Sequence, residues 1–168
     1  WMPVVFDNGA YVAFSKKTEW NEQEWRTMLA WFRMAQINPE WVVCPDKVGD
    51  KNGTLALWDS YAPQLIASGY AVAFAVQDGM GPEDVPSNAD VIFVGGTDKW
   101  KFKQLPSFTQ SFPRVHCARV NGKRALEYCE AHGCESVDGT GWFRDKKRTT
   151  AMDFVKGHRT GQMTFGKP

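Results

Sequence analysis

Carboxylates follow three short apolar runs of this sequence, and the repeated position is the first sign of chemistry. Asp7 ends the run PVVFD, Asp46 ends WVVCPD, and Asp138 follows the run ESV. Carboxylates that converge on one rim disfavour each other's charge, so packing alone does not explain them. A ligand that brings hydrogen-bond donors or a developing positive charge between them does explain them. We therefore treat these three residues as a candidate active site.

The other apolar runs also end in polar or glycine residues, namely Gln77 with Asp78, Gly95 with Gly96, and Arg119 with Asn121. Each residue taken singly has a structural alternative, because a strand-end Asp often caps the next helix and a glycine pair makes a tight turn. The carboxyl ends of parallel strands meet at one edge of a sheet, where ligands bind. The coincidence of polar strand ends favours the functional interpretation.

Six apolar runs must position these residues. They are β-branched and continuous, which is typical of strands buried on both faces, and they span 3–7, 41–46, 71–78, 90–96, 114–120 and 135–139. Helical patterns lie between them: one starts at the capping pair Asn21 and Glu24, two cover 54–68 and 121–132, and one begins near Thr140. The Pro-rich segments 79–89 and 104–113 are expected to be loops. Alternation of strands and helices predicts an α/β fold with a parallel sheet.

Length and composition set the class of protein. With 168 residues and 43% apolar content, the chain 1–168 is expected to form a single domain. It has no apolar run of about 20 residues and no segment resembling a signal peptide, so a cytoplasmic protein without membrane contact is expected. Four scattered cysteines are expected to be reduced thiols.

The formal net charge of +1 hides an asymmetry between the two halves of the chain. Residues 1–96 carry six Lys/Arg and twelve Asp/Glu, whereas residues 97–168 carry fourteen and seven. The basic residues of the second half are densest in two runs, DKWKFK (98–103) and RDKKR (144–148), each of which adjoins Trp or Phe. Such a mixture suits phosphate contact next to stacked bases, although a solvated helix face explains either run equally well. The candidate backbone contacts are Lys99, Lys101 and Lys103 in the first run, and Arg144, Lys146, Lys147 and Arg148 in the second.

Histidine and cysteine give no metal prediction. His116 lies within an apolar run and is interpreted as a core histidine. Cys129, His132 and Cys134 have a suggestive spacing but no fourth ligand nearby, so no metal is expected.

An ordered series of motifs resembles the tRNA-guanine transglycosylases and their phage relatives that insert 7-deazaguanine bases into DNA. FDNGAY (6–11) is similar to the segment D-S-G-G-[FY] of that family, and CPD (44–46) stands where the family has its second base-reading Asp. AVQDG (75–79) resembles V-Q-G-G, VGG (94–96) resembles G-G-[LT], and SVDGTG (136–141) resembles the strand end with the nucleophilic Asp.

The resemblance implies a TIM-like (β/α) barrel, here incomplete or minimal with about six visible βα units, and a base-exchange reaction without a cofactor. Asp138 would be the nucleophile and Asp7 the general acid and base. Asp46, Gln77, Gly95, Gly96, Tyr11 and Asn8 would bind the base, with Asp46 accepting from a guanine-like edge and Tyr11 stacking on it. The implied partners are a nucleic acid, either DNA or tRNA, and a purine or 7-deazapurine base.

Two alternative functions use the same pocket, namely an N-glycosylase or nucleoside hydrolase, and a non-catalytic module that binds bases or nucleic acid. A barrel with fewer than eight strands would also expose two sheet edges. We expect these edges to be covered either by a second copy of the chain, giving a homodimer, or by the chain's own segments 104–113 and 157–168.

Overall fold

The computed structural model describes residues 4–140, and they are built around one parallel sheet. Neighbouring strands follow chain order, from β1 to β5, and every pair is parallel. The strands are β1 Val42–Val43, β2 Val72–Val76, β3 Val91–Val94, β4 Val115–Cys117 and β5 Ser136–Val137. The helices are α1 Ala10–Lys16, α2 Glu22–Met34, α3 Lys51–Ala67, α4 Asp98–Ser111 and α5 Lys123–Ala131. The predicted α/β class with a parallel sheet is confirmed.

Both faces of the sheet are buried, which explains why the strand sequences are continuously apolar. In β2, Val72, Phe74 and Val76 point into the larger core that the helices cover, whereas Ala73 and Ala75 belong to a second, inner cluster. Side chains alternate between the two faces of a strand, so a strand covered on both sides needs apolar residues at every position.

The sheet is curled into a half barrel. Trp41, directly before β1, has its ring centroid 5.0 Å from that of His116 on β4. In a flat sheet β1 and β4 would lie about 14 Å apart, since neighbouring strands are about 4.8 Å apart. Only strong curvature brings the two rings into contact. The curvature turns the inner face into a concave wall and gathers the carboxyl ends of the strands around one opening.

The first predicted strand is reduced to a single bridge. Phe6 pairs with Val42 in parallel orientation, donating its N–H to Trp41 O at 3.1 Å and accepting from Val43 N at 2.8 Å. The described sheet therefore has five strands plus this bridge, and not the six full units that the sequence predicts.

Three of the predicted helices are present as α2, α3 and α5, whereas α1 was not predicted from the sequence. The side chain of Asn21 caps α2 by accepting from Glu24 N at 3.0 Å, as its position before the apolar repeat indicates. The helix α3 buries Trp58, Ala62 and Leu65, at positions i, i+4 and i+7, beneath the sheet. No helix within residues 4–140 is long and apolar enough to cross a membrane. The helix expected near Thr140 and the tail 157–168 lie outside the described residues.

The prediction of a loop at 104–113 is wrong, because α4 continues through Pro106 to Ser111. A proline lacks the N–H that would bond to the carbonyl four residues earlier, here Phe102 O. The hydroxyl of Tyr128 on α5 donates to Phe102 O at 3.0 Å and replaces that bond. Leu105 and Phe108 are completely buried in the core, so this segment packs under the sheet and does not cover its edge.

Candidate active site at the carboxyl ends of the strands

One cavity of about 450 Å³ opens at the carboxyl ends of the strands. All eight residues predicted to be catalytic or to bind a base line it, which are Asp7, Asn8, Tyr11, Asp46, Gln77, Gly95, Gly96 and Asp138. They come from segments as far apart in sequence as residues 7 and 138, so the curvature of the sheet brings them together. Their individual roles remain predictions.

Asp46 is the most elaborately supported of the carboxylates. Its Oδ1 accepts from Asn8 Nδ2 at 2.8 Å, and its Oδ2 accepts from Gln77 Nε2 at 2.7 Å. Asn8 itself is fixed by two backbone contacts, donating to Cys44 O at 2.7 Å and accepting from Ala10 N at 2.7 Å. A carboxylate has about four acceptor positions, so each oxygen of Asp46 keeps one for a ligand.

Gln77 is almost fully buried, and both of its amide protons are engaged. Besides Asp46, its Nε2 donates to Thr54 Oγ1 at 3.0 Å, and its Oε1 accepts from Gly49 N. In this structure Gln77 therefore orients Asp46. Donation to the carbonyl of a ligand requires one of these hydrogen bonds to break.

Desolvation raises the pKa of Asp46 to about 6, the hydrogen bond from Asn8 opposes this shift, and the nearby Asp7 carboxylate adds to it. Asp46 is thus ionised at neutral pH but has lost much of its hydration. Hydrogen bonds from a ligand with two N–H donors would replace the lost hydration and stabilise the ionised carboxylate.

The pKa of Asp138 is shifted in the opposite direction from that of Asp46. Burial opposes its ionisation, but His116 and the backbone N–H of Arg119, which donates to Oδ1, outweigh that effect and lower the pKa of Asp138. Oδ2 lies 3.9 Å from His116 Nε2, which is an ion-pair distance when the imidazole is protonated and too long for a hydrogen bond. The carboxylate is 49% exposed and faces the cavity, so it is ionised and accessible.

Asp7 is exposed and lines two depressions. It lies on the wall of the main cavity and on a neighbouring groove of about 390 Å³ between α1 and α2. Its Oδ1 accepts from Gly9 N at 3.3 Å. This carboxylate has the solvent access that proton exchange with a ligand requires.

Gly96 closes the tight turn after β3. Its φ of 70° is left-handed, and an added Cβ would lie 2.4 Å from Asp78 Oδ1, so no other residue fits without a shift. Asp78 in turn accepts from Thr97 N at 2.6 Å and from Thr97 Oγ1 at 2.7 Å. The Gly95 N–H is used by Val76 O at 3.0 Å, whereas the Gly96 N–H has no acceptor within residues 4–140.

Arg119 is a site residue that the sequence reasoning did not select. Its guanidinium carbon lies 4.1 Å from the centroid of the Tyr11 ring, and its Nη2 donates to Gly96 O. Among the described residues that line the cavity it is the one cation, opposite Asp7, Asp46, Asp78 and Asp138. The sequence signal that could have identified Arg119 is its position directly after an apolar run. Asp78 and Thr97, which also line the cavity, have the same kind of position.

The prediction that Lys101 contacts nucleic-acid phosphates is wrong. Lys101 is completely buried on α4, where its Nζ donates to Ala118 O at 2.6 Å and pairs with Asp98 Oδ1 at 3.0 Å. It shares the buried helical face with Leu105 and Phe108. Lys99 and Lys103 point to solvent from the same helix. The second basic run, Arg144, Lys146, Lys147 and Arg148, lies outside the described residues.

Within residues 4–140 no group of His, Cys, Asp and Glu has the arrangement of a metal site. Cys129 is buried, while His132 stacks on the Tyr128 ring at 4.0 Å and its Nδ1 contacts Tyr128 O at 2.8 Å. Both contacts join His132 to Tyr128, which lies four residues earlier in the chain.

Comparison with known proteins adds no relative: neither a family model nor a curated protein matches this chain. The resemblance to the transglycosylases therefore rests on the sequence motifs alone.

Proposed function

We propose that this protein is a base-exchanging transglycosylase that replaces a guanine-like base of a nucleic acid through a covalent intermediate on Asp138. The observation that carries the proposal is the convergence of all eight motif residues on one cavity. Because these residues are far apart in sequence, it is the fold of the parallel sheet that brings them to this one opening, and this supports the proposal.

The base would be read at its hydrogen-bonding edge. Asp46 retains one acceptor position on each oxygen, which suits the N1–H and exocyclic amine of guanine or a 7-deazaguanine. The Gly96 N–H supplies a donor for the carbonyl of the base. Tyr11, 43% exposed on the cavity wall, would stack on the ring system, and the Arg119 guanidinium would share or leave the Tyr11 face that it covers.

The chemistry would proceed in two steps that need no cofactor. An Asp138 oxygen attacks C1′ of the nucleotide while the C1′–N bond breaks, and Asp7 delivers a proton to the departing base. Asp7 then removes a proton from the incoming base, whose nitrogen attacks C1′ and releases the Asp138 carboxylate. Bonds and protons balance over the two steps, and the backbone of the nucleic acid is unchanged.

The hydrogen-bonding edge that Asp46 reads is hidden in a base pair, so the substrate nucleotide must be flipped out or single-stranded. A cavity of about 450 Å³ has room for one purine base and its sugar.

Incubation of the chain with DNA or tRNA and labelled guanine or 7-deazaguanine tests the proposal. We expect label in the polynucleotide, equal release of unlabelled base, and neither product with Asp138→Asn. Base release without incorporation would overturn exchange in favour of an N-glycosylase or nucleoside hydrolase. Binding of the polynucleotide with neither product would identify a binding module.

A further inference from the structure

His116 is a buried histidine that the proposed reaction does not yet use. It lies on the inner face of β4, two residues before Ala118, which lines the cavity. Its ring stacks on Phe93 with centroids 5.1 Å apart and contacts Trp41 at 5.0 Å. The side chain is 4% exposed, so its position is fixed by packing.

The two ring nitrogens of His116 have unequal surroundings. Nδ1 lies 2.9 Å from Ser136 Oγ, whereas Nε2 is buried without a hydrogen-bond partner among residues 4–140. Leaving a buried polar nitrogen without a partner destabilises a fold, so such a nitrogen is retained when a nearby group compensates for it. The Asp138 carboxylate, with Oδ2 at 3.9 Å, is the compensating group within reach.

One proton arrangement gives both nitrogens a role. If Ser136 donates its hydroxyl proton to Nδ1, the neutral ring carries its proton on Nε2, towards Asp138. The other tautomer would place a nitrogen lone pair against the carboxylate. A hydrogen bond between Nε2–H and Oδ2, which lie 3.9 Å apart, would require a small rotation of the half-exposed Asp138 side chain.

We propose that His116 is a positioning residue for Asp138, whose Nε2–H holds the carboxylate ionised and oriented while the oxygen that attacks C1′ faces the cavity. This inference rests on the proposed function for the identity of the reaction. His116 would then be more than the core histidine that its position within an apolar run indicates.

The charges around Asp138 show why such a group is needed. The carboxylates of Asp7, Asp46 and Asp78 line the same cavity and oppose a fourth negative charge. The groups that favour the Asp138 carboxylate are the imidazole of His116, with Ser136 behind it, the backbone N–H of Arg119, and the charge of Lys101 on α4. Removal of the His116 contribution should therefore raise the pKa of Asp138.

The test uses side chains that reach different positions of the imidazole. The amide nitrogen of Gln reaches the position of Nε2, whereas that of Asn reaches only the position of Nδ1. The titration of Asp138 is followed by carbon NMR on chain labelled at Asp, with the signal assigned by Asp138→Asn. We expect a midpoint about one pH unit higher in His116→Asn and a midpoint close to the natural one in His116→Gln.

Two further variants separate positioning from packing. Ser136→Ala keeps the ring but removes the hydroxyl that selects its tautomer, and should raise the Asp138 midpoint in the same direction. Val91→Ala shortens a residue of the inner cluster that does not line the cavity, and should leave the midpoint unchanged. If His116→Asn fails to fold, Ser136→Ala decides the question.

Equal Asp138 midpoints in the natural chain, His116→Asn and Ser136→Ala would overturn the inference. The titration needs no substrate, so it tests the inference separately from the proposed reaction. A shifted midpoint in a chain without exchange activity would contradict the proposed reaction but support the coupling between His116 and Asp138. Exchange activity with an unresponsive midpoint would sink only the inference. In an active chain, the acid limb of the rate profile should move to higher pH in His116→Asn.

Discussion

At the scale of single residues, two carboxylates in one cavity are held in different electrostatic states. Desolvation raises the pKa of Asp46 to about 6, while His116 and the Arg119 N–H keep the pKa of Asp138 below its usual range. Environments that push the pKa values of neighbouring acids apart are how one site obtains two chemical roles. The structure thus holds one partly desolvated carboxylate and one readily ionised carboxylate, a difference that agrees with the proposed roles of base acceptor and nucleophile.

The first prediction concerns the nucleophile. Asp138→Asn should leave folding intact and lower turnover by about three orders of magnitude or more, because a neutral amide does not attack C1′. The measurement is single-turnover incorporation of labelled base. Asp59→Asn, an exposed change on α3 outside the cavity, is the matched control and should keep full activity. Retention of most activity by Asp138→Asn would remove the residue from this role.

The second prediction is a pH dependence of base binding. Above about pH 6 the Asp46 carboxylate is ionised and accepts two donors, and below that pH it gains a proton and loses acceptor capacity. Affinity for guanine should therefore fall as the pH is lowered, by about tenfold from pH 7 to pH 5. Calorimetric titration across that range measures it. In Asp46→Asn the affinity should be weak and independent of pH, and a flat profile in the natural chain would contradict the prediction.

At the scale of elements, α4 shows how a proline is accommodated inside a helix. Pro106 supplies no N–H to Phe102 O, and the Tyr128 hydroxyl on α5 donates to that carbonyl at 3.0 Å. The hydrogen bond links α5 to α4, which packs against β3 and β4, and so it supports the strands that precede the cavity residues Gly96 and Arg119.

The third prediction tests that link by a double-mutant cycle. Tyr128→Phe removes only the hydroxyl and should lower the free energy of unfolding by about 1 kcal/mol. In the background Pro106→Ala, the new N–H of residue 106 can bond to Phe102 O, so the same change should cost clearly less. Urea denaturation of the four chains measures the coupling. Equal costs in both backgrounds would show that Tyr128 does not replace the missing helix bond.

At the scale of the whole molecule, charge is divided along the chain, with an acidic first part that builds most of the cavity and a basic second part. Burial of Lys101 shows that a basic run is not automatically a binding surface. Lys99 and Lys103 remain exposed on α4, whose first turn directly follows the cavity residue Thr97.

The fourth prediction follows from that exposure. The double variant Lys99→Ala and Lys103→Ala should weaken binding of single-stranded DNA and reduce the slope of log affinity against log salt by about two units. Fluorescence anisotropy at several salt concentrations measures the slope. Removal of two exposed cations from the acidic part, Lys17 and Arg33, is the matched control. If both double variants keep the natural slope, the α4 lysines belong to a solvated face.

The sequence by itself determined the class of fold and eight of the residues that line the cavity. Continuous apolar runs alternating with helical patterns require a parallel sheet covered on both faces, and parallel strands must present their carboxyl ends at one edge. Asp7, Asp46, Gln77 and Asp138 were therefore placed together without coordinates. A local pattern carries this information because side-chain periodicity and strand direction are local properties.

Tertiary structure decided the remainder, because it depends on contacts between distant segments. The helix runs through Pro106, and Tyr128 on another helix donates the hydrogen bond that Pro106 cannot supply. Lys101 is buried, although the sequence places its charge in a basic run. The curvature of the sheet, seen in the contact between Trp41 and His116, and the burial and partners of each carboxylate are also set by contacts between distant segments. A sequence shows which groups share an edge, and only the folded chain fixes the distances on which desolvation and charge interactions depend.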